Sequence, residues 1–416
     1  MRGWCVACLL LLAAWPAWGQ EQHAPGFLER GPLVREVLAR HPRVEAARWG
    51  VKAAQAREPQ ASGFGDLMLE GMVAPQSGFG GVPWGQAVSV GVPLPRLGEL
   101  GAREAGAKAE TRMAEQGVEM QRRELALEAC MLWSDLYEVE RSLEANAHHR
   151  EVLGDLERLA QARLGANRGR LSDLHTLEIE LSRMEMERAR MERMGRQARI
   201  RLNALLGRAP GEPLPVTWDK GDPWGVLEGA VADPGIPAQP ELQEAEARVA
   251  GQEAMLDEAG WMGWPMWSVL GSYNTMWDHP EHWFMVGVGV EIPLDQGAAG
   301  ARQEELRAEV ERAKAEREAM RDELGARLEE ARSDAQEIQT LEALYEGKLL
   351  PAARKRLEAL MAAFHGGQAE LGEVLEAALA LRELEHEAWS NRAESWRRAS
   401  RLEWALGQVP GLGGER

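Results

Sequence analysis

The strongest constraint on the fold is an internal duplication, in which corresponding segments recur about 200 residues apart along the 416-residue chain. Pro42 and Pro240 both stand near the start of a predicted helix, where the missing N–H of proline is tolerated. Val90–Pro95 corresponds in the same way to Val288–Pro293. Length alone would suggest two or three domains, whereas the repeat predicts two tandem copies of one unit.

Each copy contains residues that alternate with the period of a β-strand. In the second copy the alternation separates apolar residues from small or charged ones, with Val286, Val288, Val290 and Ile292 opposite Gly287, Gly289 and Glu291. Apolar runs at 67–73 and 267–273 precede these segments, and the loops between them are rich in Gly, Pro and Asp. The pattern predicts one strand hairpin per copy, at about 66–95 and 266–294.

After each hairpin the apolar period becomes helical. The apolar positions of the outgoing helices are Leu125, Leu132, Leu136, Val139 and Leu143, then Leu324, Leu328, Ala331, Ala335 and Ile338. Nothing stops the first of these helices between Gly98 and Leu164, which gives a length of roughly 100 Å. Glycine-containing turns near 165–167 and 365–367 precede return helices, so long helices are predicted at about 97–206 and 297–406.

The N-terminus has the pattern of a secretion signal. Arg2 precedes the apolar run 4–14, and Ala17-Trp18-Gly19 supplies small residues for cleavage before Gln20. The chain is therefore divided into a signal peptide and four further segments. These are residues 1–19 (signal), 20–207 (first copy), 208–239 (a linker rich in Gly and Pro), 240–408 (second copy) and 409–416 (tail). The formal charge of -18 argues against a nucleic-acid partner.

Several segments of the chain, taken in their order along the sequence, resemble those of the outer-membrane efflux proteins, the TolC-like channels. The resemblance covers nearly all of the mature chain. It rests on the duplication, on the two Val-Gly-Val-x-x-Pro strand ends, on Arg201–Gly207, and on 367–377, which contains Glu373-Val374-Leu375-Glu376. The segment 274–283 also looks like that of copper- or silver-efflux members.

The resemblance implies a mainly α-helical protein with a small β part. In that family, three subunits with four strands each close a twelve-stranded barrel in the outer membrane of a Gram-negative bacterium. Long coiled-coil helical hairpins continue it into the periplasm as an α-barrel. The implied partners are two further copies of the chain, outer-membrane lipid, a periplasmic adaptor protein and an inner-membrane pump of the resistance-nodulation-division type.

The same resemblance assigns roles to the helical turns. Those that contact the adaptor would be Leu164, Gly165, Asn167, Ser172 and Asp173 in the first tip, and Phe364, Gly366 and Gly367 in the second. Glu373 and Glu376 would line the pore aperture as a ring that favours cations. Gated members carry an Arg and a Tyr where this chain has Ala369 and Phe364, so their salt-bridge lock is not carried over.

Residues with metal-binding chemistry gather in the second hairpin. Met276, His279, His282 and Met285 offer the thioether and imidazole groups that suit Cu(I) and Ag(I). The alternative is an aromatic girdle at the membrane interface with Met as filler. Glu291 is predicted to face the barrel lumen, either as a pore carboxylate or as a tolerated polar residue. The neighbours His148 and His149 cannot share a metal site, and a solvated helix face is expected for them.

No motif for a nucleophile elbow, zinc protease, phosphate loop or dinucleotide site occurs in the sequence. A non-enzyme without a cofactor is predicted: the exit channel of a tripartite efflux system, carrying metal ions such as copper or silver. The same channel serving drug efflux or type I protein secretion is the first alternative. A periplasmic adaptor or a structural coiled coil is the alternative of another class.

Overall fold

The computed structural model describes residues 29–74, 85–166, 169–214, 218, 223–224, 239–275 and 280–412. The predicted signal peptide, most of the predicted linker, Asn167, Met276 and His279 lie outside these residues. The helices of the first copy are α1 (Arg30–Arg40), α2 (Pro42–Ala61), α3 (Glu99–Gly165) and α4 (Leu171–Leu205). Those of the second are α5 (Pro240–Met262), α6 (Gln296–Leu344), α7 (Leu350–His365) and α8 (Leu371–Ala405).

Helix starts follow the predicted chemistry. Pro42 occupies the first turn of α2, and the His41 side chain caps that helix by accepting a hydrogen bond from the Arg43 N–H at 3.2 Å. Pro240 takes the same place in α5. The predicted long helices are confirmed, and α3 alone is 67 residues long. In the second copy a π-helical turn, Tyr345–Leu349, separates α6 from α7, a feature that the apolar pattern does not reveal.

The four strands form one antiparallel sheet in the order β1-β2-β3-β4. They are β1 (Met68–Ala74), β2 (Gly85–Leu94), β3 (Met266–Asn274) and β4 (Phe284–Glu291). Each predicted hairpin is present, and the two are joined edge to edge because β2 of the first copy pairs with β3 of the second. The duplication therefore builds one continuous sheet from both copies.

The helical part packs around α3, which lies against α1, α2, α4, α5 and α8. Its side chains Leu125, Trp133 and Leu136 are fully buried, and the Trp133 ring contacts the Trp396 ring of α8 edge to face, with centroids 5.4 Å apart. None of the helices in the described ranges combines the length and apolar character that a membrane-spanning helix needs.

A buried arginine joins the helices of the two copies. Arg123 of α3 is 1% exposed and donates a hydrogen bond to Glu241 of α5 at 2.6 Å. It also donates to the backbone carbonyl of Trp404 in α8, and its guanidinium lies 5.3 Å from the centre of the Trp404 ring. One side chain thus holds three helices from both copies together.

We predict that Arg123→Ala lowers the free energy of unfolding by about 3 kcal/mol, because Glu241 and the Trp404 carbonyl lose their partner in a largely buried setting. Denaturant titration followed by circular dichroism measures the change. Arg57→Ala is the matched control: its ion pair with Glu110 is exposed on both sides, at 63% and 43%, and a loss below about 1 kcal/mol is expected. Equal losses in the two variants would contradict the role given to Arg123.

Candidate functional site

The two faces of the sheet differ in chemistry. The apolar face carries no charged residue. It consists of Leu69, Gly71, Val73, Gln86, Val88, Val90, Val92, Leu94, Trp267, Val269, Gly271, Tyr273, Phe284, Val286, Val288 and Val290. Many of these side chains are exposed in the single chain, Val286 at 87% and Val288 at 67%. A face this apolar and this exposed needs a non-aqueous neighbour.

The opposite face, here called the mixed face, combines polar, small and thioether side chains. It consists of Met68, Glu70, Met72, Ala74, Gly85, Ala87, Ser89, Gly91, Pro93, Met266, Ser268, Leu270, Ser272, Asn274, Met285, Gly287, Gly289 and Glu291. Glu291 lies opposite Met266 in the register and is exposed. The lumen-facing position predicted for Glu291 therefore requires the mixed face to be the inner one.

Both edges of the sheet are open in the part of the chain that the structure describes. Within the described residues, β1 pairs only with β2 and β4 pairs only with β3. Open edges expose unpaired N–H and C=O groups, which must pair with another chain or be covered. An open sheet with an apolar face is therefore incomplete in one subunit.

At the far ends of the long helices lie the two predicted tips. In the second tip, Gly367 adopts φ of 76°, and the N–H of Gln368 bonds back to the carbonyl of Ala363 at 2.8 Å. In the first tip, the glycine required by close packing is Gly169, since an added Cβ would lie 2.9 Å from the backbone nitrogen of Leu164. Gly165 has open space around its Cα and ends α3.

The tips of the two copies are linked to each other. The guanidinium of Arg163 lies 3.7 Å from the centre of the Phe364 ring and donates to the Phe364 carbonyl. Arg170 and Glu370 add an exposed ion pair at 3.5 Å. The Phe364 side chain is 2% exposed, so it supports the tip from inside, whereas Gly165, Ser172, Gly366 and Gly367 lie on the surface and Leu164 and Asp173 are half-buried.

The two predicted aperture carboxylates are exposed in the first two turns of α8. Glu373 accepts a hydrogen bond from the Glu370 N–H at 3.1 Å and so caps the helix. Glu376 forms an ion pair with Arg356 of α7 at 2.9 Å, with both side chains more than half exposed. Each carboxylate therefore has a partner within the chain, and their role at an aperture stays a prediction.

Sequence reasoning missed a buried group above the tips. His149, expected on a solvated face, is 4% exposed, and its Nε2 lies 2.8 Å from Oε2 of Glu385. Arg354 donates to the other oxygen of Glu385 at 2.9 Å. The bond with His149, helped by Arg354 and opposed by burial, lowers the pKa of Glu385 to about 2. Residues so far apart in the chain leave no common periodic signal, so the sequence gives no sign of this cluster.

We predict that Glu385 contributes to acid sensitivity. Its pKa is lower in the folded chain than the ordinary value of 4.5, so its stabilisation is present above about pH 4.5 and is lost as the pH falls towards 2. Glu385→Gln should make the unfolding free energy fall less steeply over this range, as measured by urea titration at several pH values. Glu110→Gln, which removes an exposed carboxylate, should keep the steepness of the parent. Identical profiles for the parent and Glu385→Gln would refute the assignment.

Comparison with known proteins places the fold. No family model and no curated protein matches the sequence. Among solved structures, the outer-membrane channel OprN is 18% identical, with a TM-score of 0.76 over 92% of this chain and 90% of that one. The outer membrane protein VceC of Vibrio cholerae is 16% identical, with a TM-score of 0.75 over 91% and 96% of the two chains. CusC is 15% identical, with a TM-score of 0.77 over 92% and 93%. The chain has the fold of the TolC-like outer-membrane efflux channels, which confirms the fold expected from its sequence.

Proposed function

We propose that three copies of this chain form an export channel in the outer membrane. The observation that carries the proposal is the open four-stranded sheet with one wholly uncharged, exposed apolar face. Closing such a sheet with two further copies satisfies both edges and turns the apolar face to lipid. The likeness to solved outer-membrane channels supports the same arrangement.

The helices extend this channel into the periplasm of a Gram-negative cell. A continuous helix of 67 residues spans roughly 100 Å. A compact enzyme does not need a helix of this length, whereas a channel that crosses the periplasm does. In a soluble adaptor or a structural coiled coil, which is the competing class, the apolar face of the sheet would meet water. The chain thus acts as a passive conduit, without a catalytic step.

The tips supply a docking point for partners. Their exposed residues, among them Ser172, Gly366 and Gly367, lie at the end of the helical hairpins farthest from the sheet. We assign to this end a periplasmic adaptor protein, coupled to an inner-membrane pump of the resistance-nodulation-division type. The link between Arg163 and Phe364 keeps the two tips of one subunit together, so that the adaptor meets them as one surface.

Metal ions such as copper or silver are the cargo that we favour. His282 and Met285 are exposed in the second hairpin, whereas Met276 and His279 lie outside the described residues. The described residues hold no cluster of three or more His, Cys, Asp or Glu side chains that would retain a metal ion. Export of drugs or of polypeptides by the same channel is the alternative cargo class.

The orientation of the sheet is tested by placing one charge on either face of β4. We predict that Val288→Lys, on the apolar face, reduces the amount of trimer in the outer-membrane fraction, because a lysine facing lipid costs about 2 to 4 kcal/mol near the bilayer centre. Gly287→Lys, the adjacent residue on the mixed face, has open space around its Cα and should leave the yield close to that of the parent. The amount of trimer is measured by membrane fractionation, detergent extraction and light scattering.

Recovery of the parent chain as a soluble periplasmic protein would overturn the channel proposal. A stronger loss for Gly287→Lys than for Val288→Lys would instead reverse the two faces of the sheet.

A separate test addresses the aperture. In planar bilayers we predict that Glu373→Gln combined with Glu376→Gln lowers the preference for K⁺ over Cl⁻, because six carboxylates are removed from the trimer. Glutamine still caps α8 at position 373, so the helix start is retained. Glu151→Gln combined with Glu358→Gln removes the same charge from exposed sites on α3 and α7 and serves as control. An unchanged permeability ratio in the aperture variant would exclude these two residues from the selectivity ring.

A further inference from the structure

Methionine is distributed unequally over the two faces of the sheet. Four strand methionines, Met68, Met72, Met266 and Met285, all lie on the mixed face, and the apolar face has none. Methionine used as apolar filler would be expected on the apolar face, where Val, Leu and aromatic residues are found instead. Hydrophobicity therefore does not explain why the four strand methionines lie on the mixed face.

The methionine side chains on the mixed face are largely exposed in the single chain. Met68 is 67% exposed, Met72 53% and Met285 41%, while Met266 is half-buried. Gly91 lies opposite Met68 in the register, and the Leu270 side chain packs over it, since an added Cβ there would come within 3.1 Å of Leu270. Three of the four methionine side chains are therefore accessible on a face whose other members are mostly small or polar.

The same face carries negative charge. Glu70 lies between Met68 and Met72 on β1, and Glu291 lies opposite Met266. The serines and asparagine on this face are neutral, and neither lysine nor arginine occurs on it. The face therefore attracts cations, and its sulfur donors are of the soft type.

We infer that the mixed face is a binding surface for the soft monovalent cations Cu(I) and Ag(I), which bind transiently to single methionine sulfurs. This inference rests on the proposed export channel, because only closure of the sheet makes the mixed face the wall of a lumen. Each sulfur stands in a different cross-strand row, so no rigid chelate is formed within one subunit. Weak, separated sites suit conduction, in which an ion must leave as readily as it binds.

Silver nitrate in chloride-free solution is the probe, applied to the full-length protein in planar bilayers. The parent and all variants in this experiment carry Cys130→Ala, since the thiol of this buried cysteine would bind Ag⁺ more tightly than any thioether. Bound Ag⁺ should reduce the K⁺ current. Replacing Met68, Met72, Met266 and Met285 with Leu keeps the side-chain volume and removes sulfur, and should raise the half-blocking Ag⁺ concentration by about tenfold or more.

The matched control replaces four helix methionines, Met186, Met191, Met194 and Met255, with Leu and should behave like the parent. Block that is equal in the parent and in the strand variant overturns the inference, and so does equal loss in both quadruple variants. If the strand variant does not assemble, the pairs Met68/Met72 and Met266/Met285 are replaced separately, and each should lose part of the block.

Calorimetric titration of the detergent-purified protein with Ag⁺ separates the site from the channel. A parent that binds Ag⁺ through these residues without conducting K⁺ supports the surface and refutes the channel. A parent that conducts K⁺ and binds no Ag⁺ at these residues keeps the channel and refutes the surface, which leaves the methionines as an adaptable lining for organic cargo.

Discussion

The pairing of β2 with β3 is the interaction on which the rest of the structure depends. It joins the two copies through backbone hydrogen bonds from Ala87 opposite Asn274 to Leu94 opposite Trp267. Because α3 follows β2 and α5 precedes β3, this register also sets α3 beside α5, and Arg123 bonds across that contact to Glu241. Both helical hairpins then start at one level, which allows Arg163 of one tip to meet Phe364 of the other.

The sheet and the tips impose opposite requirements on the sequence. In the sheet, any residue except proline satisfies the backbone pairing, so side chains are free to differ between the two faces and, in the channel that we propose, to define its lipid and lumen sides. At the tips the backbone must reverse within a few residues, so Gly169 and Gly367 are fixed by geometry, and neighbouring charges serve the helix ends. The residues to which we assign a function therefore lie on the sheet surface and in the first turns after each reversal.

Much of the fold follows from period and spacing. Alternation predicts the strands, and the helical period predicts α3, α4 and α8, because both patterns repeat over many residues. α1 was not predicted, although Leu33, Val34, Val37 and Leu38 are spaced for a buried helix face. Arg123 and His149 read like other residues of a solvated helix, and only partners from distant segments bury them. The sequence pattern likewise does not predict the π turn at Tyr345–Leu349.

The two open edges of the sheet also bear on how the protein is made. In the trimeric channel that we propose, a new subunit cannot cover its strand edges or its apolar face by folding alone, whereas its helices bury Leu125, Trp133 and Leu136 within one chain. Helical packing is thus a first-order event, and completion of the sheet waits for encounters between subunits. The formation of such a channel would depend on subunit concentration at its last step, and the chain would be most exposed to aggregation and proteolysis before that step.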